Sequence, residues 1–371
     1  DKMKIGINIS DSRIFDLNQS NDILLPSYIS SRSKLFESIG FDFFTSNETK
    51  SNPFVPLSIS SESSNKPELI TSIALAFVRS PMDLAYISWD LQRISNGRFV
   101  LGLGSQVRGH IVRRFSGEWH PPIDRMREYL ECIDQIWNNW QNDSPLSYKG
   151  DYYNIDLMTP FFNPGPINTK FPKIILAAVN KKMSELSGEF SSGIILHGFT
   201  TKKYVQKTLL PEIHKGKNYK KLKDEFIITS GGFLIVSDDD NNIQKKVEQI
   251  RSQVAFYAST KSYRKVMEIH GWEAIADKLY RYSVDGKWEK MPSLISDDML
   301  DEFLLITNIH DAPKKIKNIG SEEFKKQNNE IISCINKLVH EHNELKLVFF
   351  SSGISKKEID YENESKSLYK N

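Results

Sequence analysis

The chain has 371 residues, with 49 Lys and Arg against 47 Asp and Glu and a formal net charge of +2; its basic runs are matched by acidic ones nearby, so a nucleic-acid partner is not expected. Hydrophobic residues make up 39% of the chain, enough for one large α/β barrel or two ordinary domains, but no window approaches the ~20 continuous apolar residues of a membrane span. The two cysteines, Cys132 and Cys334, stand far apart in segments that read as helical, which excludes a disulfide framework, offers no metal-ligand spacing and points to a reducing cytoplasm.

Met3 reads as an initiator behind Asp1 and Lys2, and residues 4–9 as a first strand, too short and interrupted for a signal peptide. A helical pattern over 28–39, a strand at 41–45 and a strand at 70–78 follow. Ser80-Pro81 suits a helix start, because the ring fixes φ and its missing N–H would be unpaired in a first turn. Leu84, Ile87, Trp89, Leu91 and Ile94 give that helix its apolar spacing, and Asn96-Gly97 ends it. Arg98 to Gly104 reads as a strand with a side-chain-poor tip, suited to close approach by a ligand.

Beyond it come a helix at 125–140, a Pro/Gly/aromatic loop at 141–170 and a strand at 173–179. A helix at 181–189, a strand at 192–197, a helix at 203–214 and a strand at 226–236 continue the alternation. A helix at 241–257, an excursion at 255–300 and a strand at 302–307 complete it. Eight strands alternating with helices favour a closed parallel (β/α)8 TIM barrel with insertions before strands five and eight. A doubly wound sheet is the alternative, and no Gly-x-Gly-x-x-Gly follows the first strand to support it. No linker divides the chain, so one domain over 1–355 and a charged, disordered tail over 356–371 are expected. In such a barrel the active site lies at the C-terminal strand ends: Asn8, Asn47, Glu48, Ala76, Gly104, Ser105, Ala178 to Asn180, His197, Gly198 and Thr307.

The wording Ser95-Asn96-Gly97-Arg98-Phe99-Val100-Leu101-Gly102-Leu103-Gly104-Ser105 carries a further signal. With Val107, His110, Arg113 to Phe115, Met126 to Tyr129, Ala255 to Thr260, Tyr263 and His270-Gly271-Trp272, it resembles the luciferase-like flavin-dependent oxidoreductases, over roughly residues 3–350. That resemblance implies a TIM barrel that holds flavin mononucleotide (FMN) or the deazaflavin coenzyme F420 against strand three, where a non-prolyl cis peptide near Ser72-Ile73-Ala74 bulges toward the ring. The implied cofactor-binding residues are Asn8, Ser72, Ile73, Ala74, Ala76, Gly104, Ser105, Gln106, Ala178, Val179, Asn180 and Gly198. Small residues there, Gly102 and Ala177 included, either leave room for a flat ring or pack a tight barrel interior. Ser105 and Gln106 either bind a phosphate or cap a turn.

Ser105 stands where FMN-using relatives place an arginine, which tilts the expectation toward F420 unless Arg108, Arg113 or Arg114 substitutes. The histidines that relatives carry after strand two are missing, leaving Glu48, His110 and His197 as the acid–base candidates, although a lone histidine is often structural. Trp119, Phe161, Phe162, Tyr257 and Trp272 are candidates to line a pocket for a small-molecule substrate. Relatives often pair as homodimers through helices that here would present Leu84, Ile87 and Trp89, side chains that fit equally against the barrel. The expected activity is F420-dependent hydride transfer on a small organic substrate. Alternatives are an FMN-dependent monooxygenase, a non-catalytic flavin-binding protein, and, less well supported, an unrelated barrel lyase or isomerase, for which no strand-tip lysine or metal cluster is seen.

Overall fold

The computed structural model describes residues 4–10, 25–219, 226–236, 239–307 and 348–354. Cys334 and the tail expected from 356 lie outside the described residues. β1 (Lys4–Asn8) is followed by α1 (Pro26–Ile39). Gly40, at φ 106°, ends α1 by turning its N–H onto the Phe36 and Glu37 carbonyls, a left-handed closure that glycine adopts without a Cβ penalty. β2 (Phe43–Ser46) leads to α2 (Phe54–Ser63), a serine-rich helix. Serine competes for backbone hydrogen bonds, but here Ser58, Ser60 and Ser63 donate to the carbonyls four residues earlier, and Ser60 also meets Ser33 of α1 at 3.0 Å.

Strand three is broken in two. β3 (Glu68–Thr71) and β4 (Ala74–Leu75) are separated by a cis peptide between Ser72 and Ile73. α3 (Pro81–Ile94) starts as read: the Ser80 hydroxyl accepts from the Asp83 N–H, Pro81 takes the first turn, and Asn96 and Gly97 leave the helix at φ 53° and 84°. β5 (Phe99–Gly104), buried at every position, precedes α4 (Arg108–Arg113) and α5 (Pro122–Asn142). The first insertion holds a small hairpin, β6 (Tyr148–Lys149) and β7 (Asn154–Ile155). Tyr86, Trp89, Gln92 and Arg93 of α3 anchor the rest of it by donating to carbonyls of 162, 164–166 and 170.

β8 (Lys173–Ala178), α6 (Lys181–Phe190) and β9 (Gly193–Leu196) come next. α7 (Lys202–Tyr204) continues through a π-helical turn, Val205–Leu209, into α8 (Leu210–Tyr219). Strand seven also divides, at Gly232, into β10 (Phe226–Gly231) and β11 (Phe233–Val236). α9 (Asp240–Ala258), α10 (Arg264–Glu268), α11 (Glu273–Val284) and α12 (Asp297–Asp301) build the second excursion. β12 (Leu304–Thr307) and β13 (Val348–Ile354) end the described chain.

Eight strands close a ring in the order β1, β2, β3, β5, β8, β9, β10, β13, each hydrogen-bonded to both neighbours. The TIM-barrel architecture expected from the alternation is therefore present, with one correction. The strand at 304–307 is not a ring member: β12 pairs in parallel with β11, outside the barrel, and the eighth place is taken by β13, antiparallel to both β10 and β1. The chain leaves the ring after Gly231, the last residue of β10, and β11 beyond Gly232 pairs with β12.

Phe43, Ile70, Val100, Ile175 and Ile195 fill the barrel interior, and the large cluster outside it packs helices onto strands. Of the two roles open to Leu84 and Trp89, packing against this chain is the one found: both are fully buried, with Trp89 stacked on Trp137 and edge-on to Trp140 and Phe171. Among the described residues no helix is long and apolar enough to cross a membrane, and no group of three or more His, Cys, Asp or Glu is placed to hold a metal ion.

Candidate active site

The C-terminal ends of the parallel strands open into a cavity of about 1390 Å³, bounded by β2, β3, β5, β8, β9 and β10 and roofed by α4, α6, α9 and α10. Its floor is set by close packing. A Cβ on Gly102 would land on the Thr71 carbonyl and Ile195, and one on Gly104 on the tip of Ile73. The glycines of β5 thus make room first for the bulge of strand three, not for a ligand. The bulge itself is a one-residue excess: Ile70 pairs with Val100 and Ala74 with Leu103, four steps on one strand against three on the other. The open volume begins beyond Ile73, Ala177 and Ile195.

Ten of the fifteen candidate residues line this cavity: Ser72, Ile73, Gly104, Ser105, Gln106, Ala178, Val179, Asn180, His197 and Gly198. Gln106 sits at φ 59° and its own side-chain oxygen accepts from the Val107 N–H. The other five lie elsewhere. Asn8 is buried one layer behind, where its amide donates to Asn47 Oδ1 at 2.9 Å and so orients a residue that does line the cavity. Ala74 and Ala76 are fully buried in the core beside β5. Glu48 has both carboxylate oxygens engaged, by Arg79 at 2.7 and 2.8 Å and by the Leu75 N–H at 2.8 Å, and it stands behind the cavity lining, tied to an ion pair. His110 is exposed on α4, whose turn brings Arg108 and Gly109 to the cavity wall in its place.

The profile of the luciferase-like monooxygenase family matches residues 5–319. The chain belongs to this family. It is 37% identical over 280 residues to an uncharacterized protein of Mycobacterium tuberculosis, a match covering 75% of this chain and 82% of that one. Among solved structures, the coenzyme F420-dependent tetrahydromethanopterin reductase of Methanopyrus kandleri superposes with a TM-score of 0.65 at 18% identity, covering 92% of this chain and 98% of that one. The FMN-complexed type II Baeyer–Villiger monooxygenase of Pseudomonas putida, the oxygenating constituent of 3,6-diketocamphane monooxygenase, gives 0.61 at 15% identity, covering 89% and 96%. The chain thus shares its fold with both an F420-dependent and an FMN-bound enzyme.

In this luciferase-like chain the wall at the end of β9 is aromatic. His197 stacks on Tyr263 at 4.6 Å and 29° and meets Tyr257 edge-on at 4.7 Å, while its Nδ1 accepts from the Phe199 N–H at 2.9 Å. Burial lowers the imidazole pKa from 6.5 to about 4. His270, held between Trp272 and Thr201, is lowered too, by burial against the opposing pull of Glu302. Trp119 and Tyr257 line the cavity as expected of pocket aromatics, whereas Phe161 is 89% exposed on the outer loop and Trp272 stacks on His270.

Tyr204, Thr208 and Tyr263 were not among the candidates. The first two are four residues apart on one helical face, the spacing that could have suggested them, and the π turn carries both to the cavity. The Tyr204 hydroxyl donates to the Val179 carbonyl at 3.0 Å and fixes the turn after β8.

The neutral His197 has a consequence for acid stability. The unfolded chain takes up a proton below pH 6.5 that the folded chain refuses until about 4, so stability is complete above 6.5 and falls as the pH drops through that window. The full effect is on the order of 3 kcal/mol. Urea midpoints between pH 7 and 4.5 are expected to fall less steeply for His197→Phe than for the wild type; equal slopes would contradict the assignment.

Proposed function

We propose that the chain is a single-domain, F420-dependent oxidoreductase of the luciferase-like family, transferring hydride to or from a small organic substrate in the cavity at the strand ends. The observation that carries this reading is the joining, in one cavity, of the Ser72–Ile73 bulge with an anion cradle across from it. The cradle is the first turn of α6, which no side chain caps because the Asn180 amide turns away to the Ser262 carbonyl. Helix N–H groups and the positive end of the dipole suit a phosphate, and Lys181, Lys182 and Arg108 stand on the same walls. When bound, the deazaflavin supplies two-electron hydride chemistry.

On this reading Ser72 and Ile73 support one face of the ring, Gly104, Ala178 and Gly198 keep the walls low, and Ser105, Gln106 and Asn180 border the phosphate end. Neutral His197 donates a hydrogen bond and does not deliver a proton. Glu48 and Asn8 act from behind, holding the bulge and Asn47. Cytoplasmic work suits a chain whose Cys132 thiol is buried and pushed up to about 12.

A second reading, reduced-FMN-dependent monooxygenation, is favoured by Arg108, which supplies at the wall the cation that Ser105 does not. Fluorescence titration of the purified protein with F420 and with FMN separates the two. Saturable quenching of F420 at micromolar concentration with at least tenfold weaker FMN binding is expected; tight binding of FMN alone would overturn the deazaflavin assignment. Cofactor binding without turnover of any alcohol or enone would favour a non-catalytic role.

A further inference from the structure

The cofactor assignment uses the walls built by β3, β5, β8 and α6, and it gives no substrate to the neighbouring wall, formed by the end of β9 with α9 and α10 and joined to the start of α6 by the Asn180–Ser262 hydrogen bond. We infer that this wall is the substrate subsite and that it selects an uncharged, flat, largely apolar molecule carrying a hydrogen-bond-accepting oxygen, a ketone or the corresponding alcohol, which docks on His197 Nε2–H beside Tyr257. This deepens the proposed function and rests on it.

Three features of the geometry carry the inference. The Phe199 N–H points at His197 Nδ1 at 2.9 Å, so that nitrogen is an acceptor and the ring proton sits on Nε2. Nε2 has no hydrogen-bond partner among the described residues, and the ring borders the cavity. An imidazole fixed in this way offers one donor, and protonating it would set an N–H against the Phe199 N–H. The wall is therefore built to hold a neutral acceptor in place and not to deliver a proton.

The second feature is shape. Tyr263 stacks on one face of the imidazole and Tyr257 closes its edge, so the ring is held rigid. Tyr257 and Ile269 add apolar surface to this wall, and Trp119 lines the same cavity from the segment between α4 and α5. The third is charge. On α10, Lys265 and Glu268 are joined to each other at 2.6 Å, and Arg264 also holds Glu268, so among the described residues of that helix no cation facing the cavity is left unpaired for a carboxylate or phosphate. Lys181 and Lys182, at the start of α6 beside this wall, and Arg108 on α4 are the cations that the cofactor reading gives to the phosphate. Among the described residues the ionisable side chains stacked against His197 are Tyr257 and Tyr263, and burial raises Tyr263 to about 12.

Isothermal calorimetry with acetophenone and with benzoate, two probes of like shape that differ in charge, tests this on the protein alone and again with F420 present. Acetophenone is expected to bind at least about tenfold more tightly than benzoate, with an affinity flat from pH 5.5 to 8. His197→Phe, which keeps the stacked ring but removes the donor, is expected to lose about tenfold in acetophenone affinity, one hydrogen bond's worth, and His197→Gln to recover most of it. A long-range 1H–15N spectrum is expected to report the Nε2–H tautomer throughout that range. Benzoate binding as tightly as acetophenone, or equal acetophenone affinity in wild type and His197→Phe, would overturn the subsite. F420 titrated separately into the wild type reports on the cofactor: its failure to bind, with acetophenone still discriminated at His197, would refute the cofactor reading alone.

Discussion

Replacing Glu48 by alanine is expected to cost the fold about 3–5 kcal/mol, the range found when one partner of a buried ion pair is removed. Glu48 and Arg79 are 9% and 15% exposed, and their two-pronged contact, at 2.7 and 2.8 Å, has the geometry that makes such pairs strong. Alanine would strand the Arg79 guanidinium, leaving it the Leu75 carbonyl at 3.2 Å, the Phe54 ring and a distant Asp83 at 3.9 Å. It would also free the Leu75 N–H, which Glu48 holds at 2.8 Å. Because the Glu48 N–H donates to the Ile73 carbonyl, the damage falls on the bulge that floors the cavity, and cofactor affinity should fall together with stability. Equilibrium denaturation of E48A, R79A and the double variant checks this. The double variant is expected to lose well under the sum of the two single losses, because removing both charges leaves neither buried alone. A loss below 1 kcal/mol for E48A would show the pair to be dispensable.

Gly102→Ala is the second large effect. A methyl there meets the Thr71 carbonyl, a backbone atom tied down by the Thr71 hydroxyl, which both donates to the Gly102 carbonyl and accepts from its N–H at 2.8 Å. Overpacking usually costs about 1–3 kcal/mol, and with a fixed backbone carbonyl on one side and Ile195 on the other the upper end or beyond is expected here. Gly104→Ala meets only the tip of the Ile73 side chain, which can rotate. It is expected to cost about 1 kcal/mol or less in stability and to show itself in weaker cofactor binding, as Ile73 is pushed into the cavity. Thermal unfolding and cofactor titration of the two variants side by side separate the roles, and a Gly102→Ala protein as stable as the wild type would contradict the packing described.

The features that could be read from the chain alone were the local ones. Ser80-Pro81 and Asn96-Gly97 bound α3 where the capping chemistry put them, and the hydrophobic alternation located every strand of the ring but one. Ring membership is not local. Residues 304–307 form a strand as their composition suggests, but which strand fills the eighth place depends on the break at Gly232 and on partners more than a hundred residues away. The same holds at the site. A carboxylate at a strand tip reads equally as an acid–base group or as half of an ion pair, and what decides for Glu48 is Arg79, 31 residues on. His110 and His197 are alike in sequence; α4 turns one outward, while Phe199, Tyr257 and Tyr263 hold the other at the cavity. Gly102 and Gly104 were legible as positions of close approach, but the approaching group is the chain's own third strand.

The central claim is that the cavity beyond Ile73 and Ile195 receives the cofactor. A crystal structure of the protein grown with F420 tests it most directly. The tricyclic ring is expected to lie against Ser72 and Ile73, with the phosphate at the first turn of α6 near Ser105 and Gln106. A ring bound outside this cavity, or the cofactor absent from it at saturating concentration, would contradict the account.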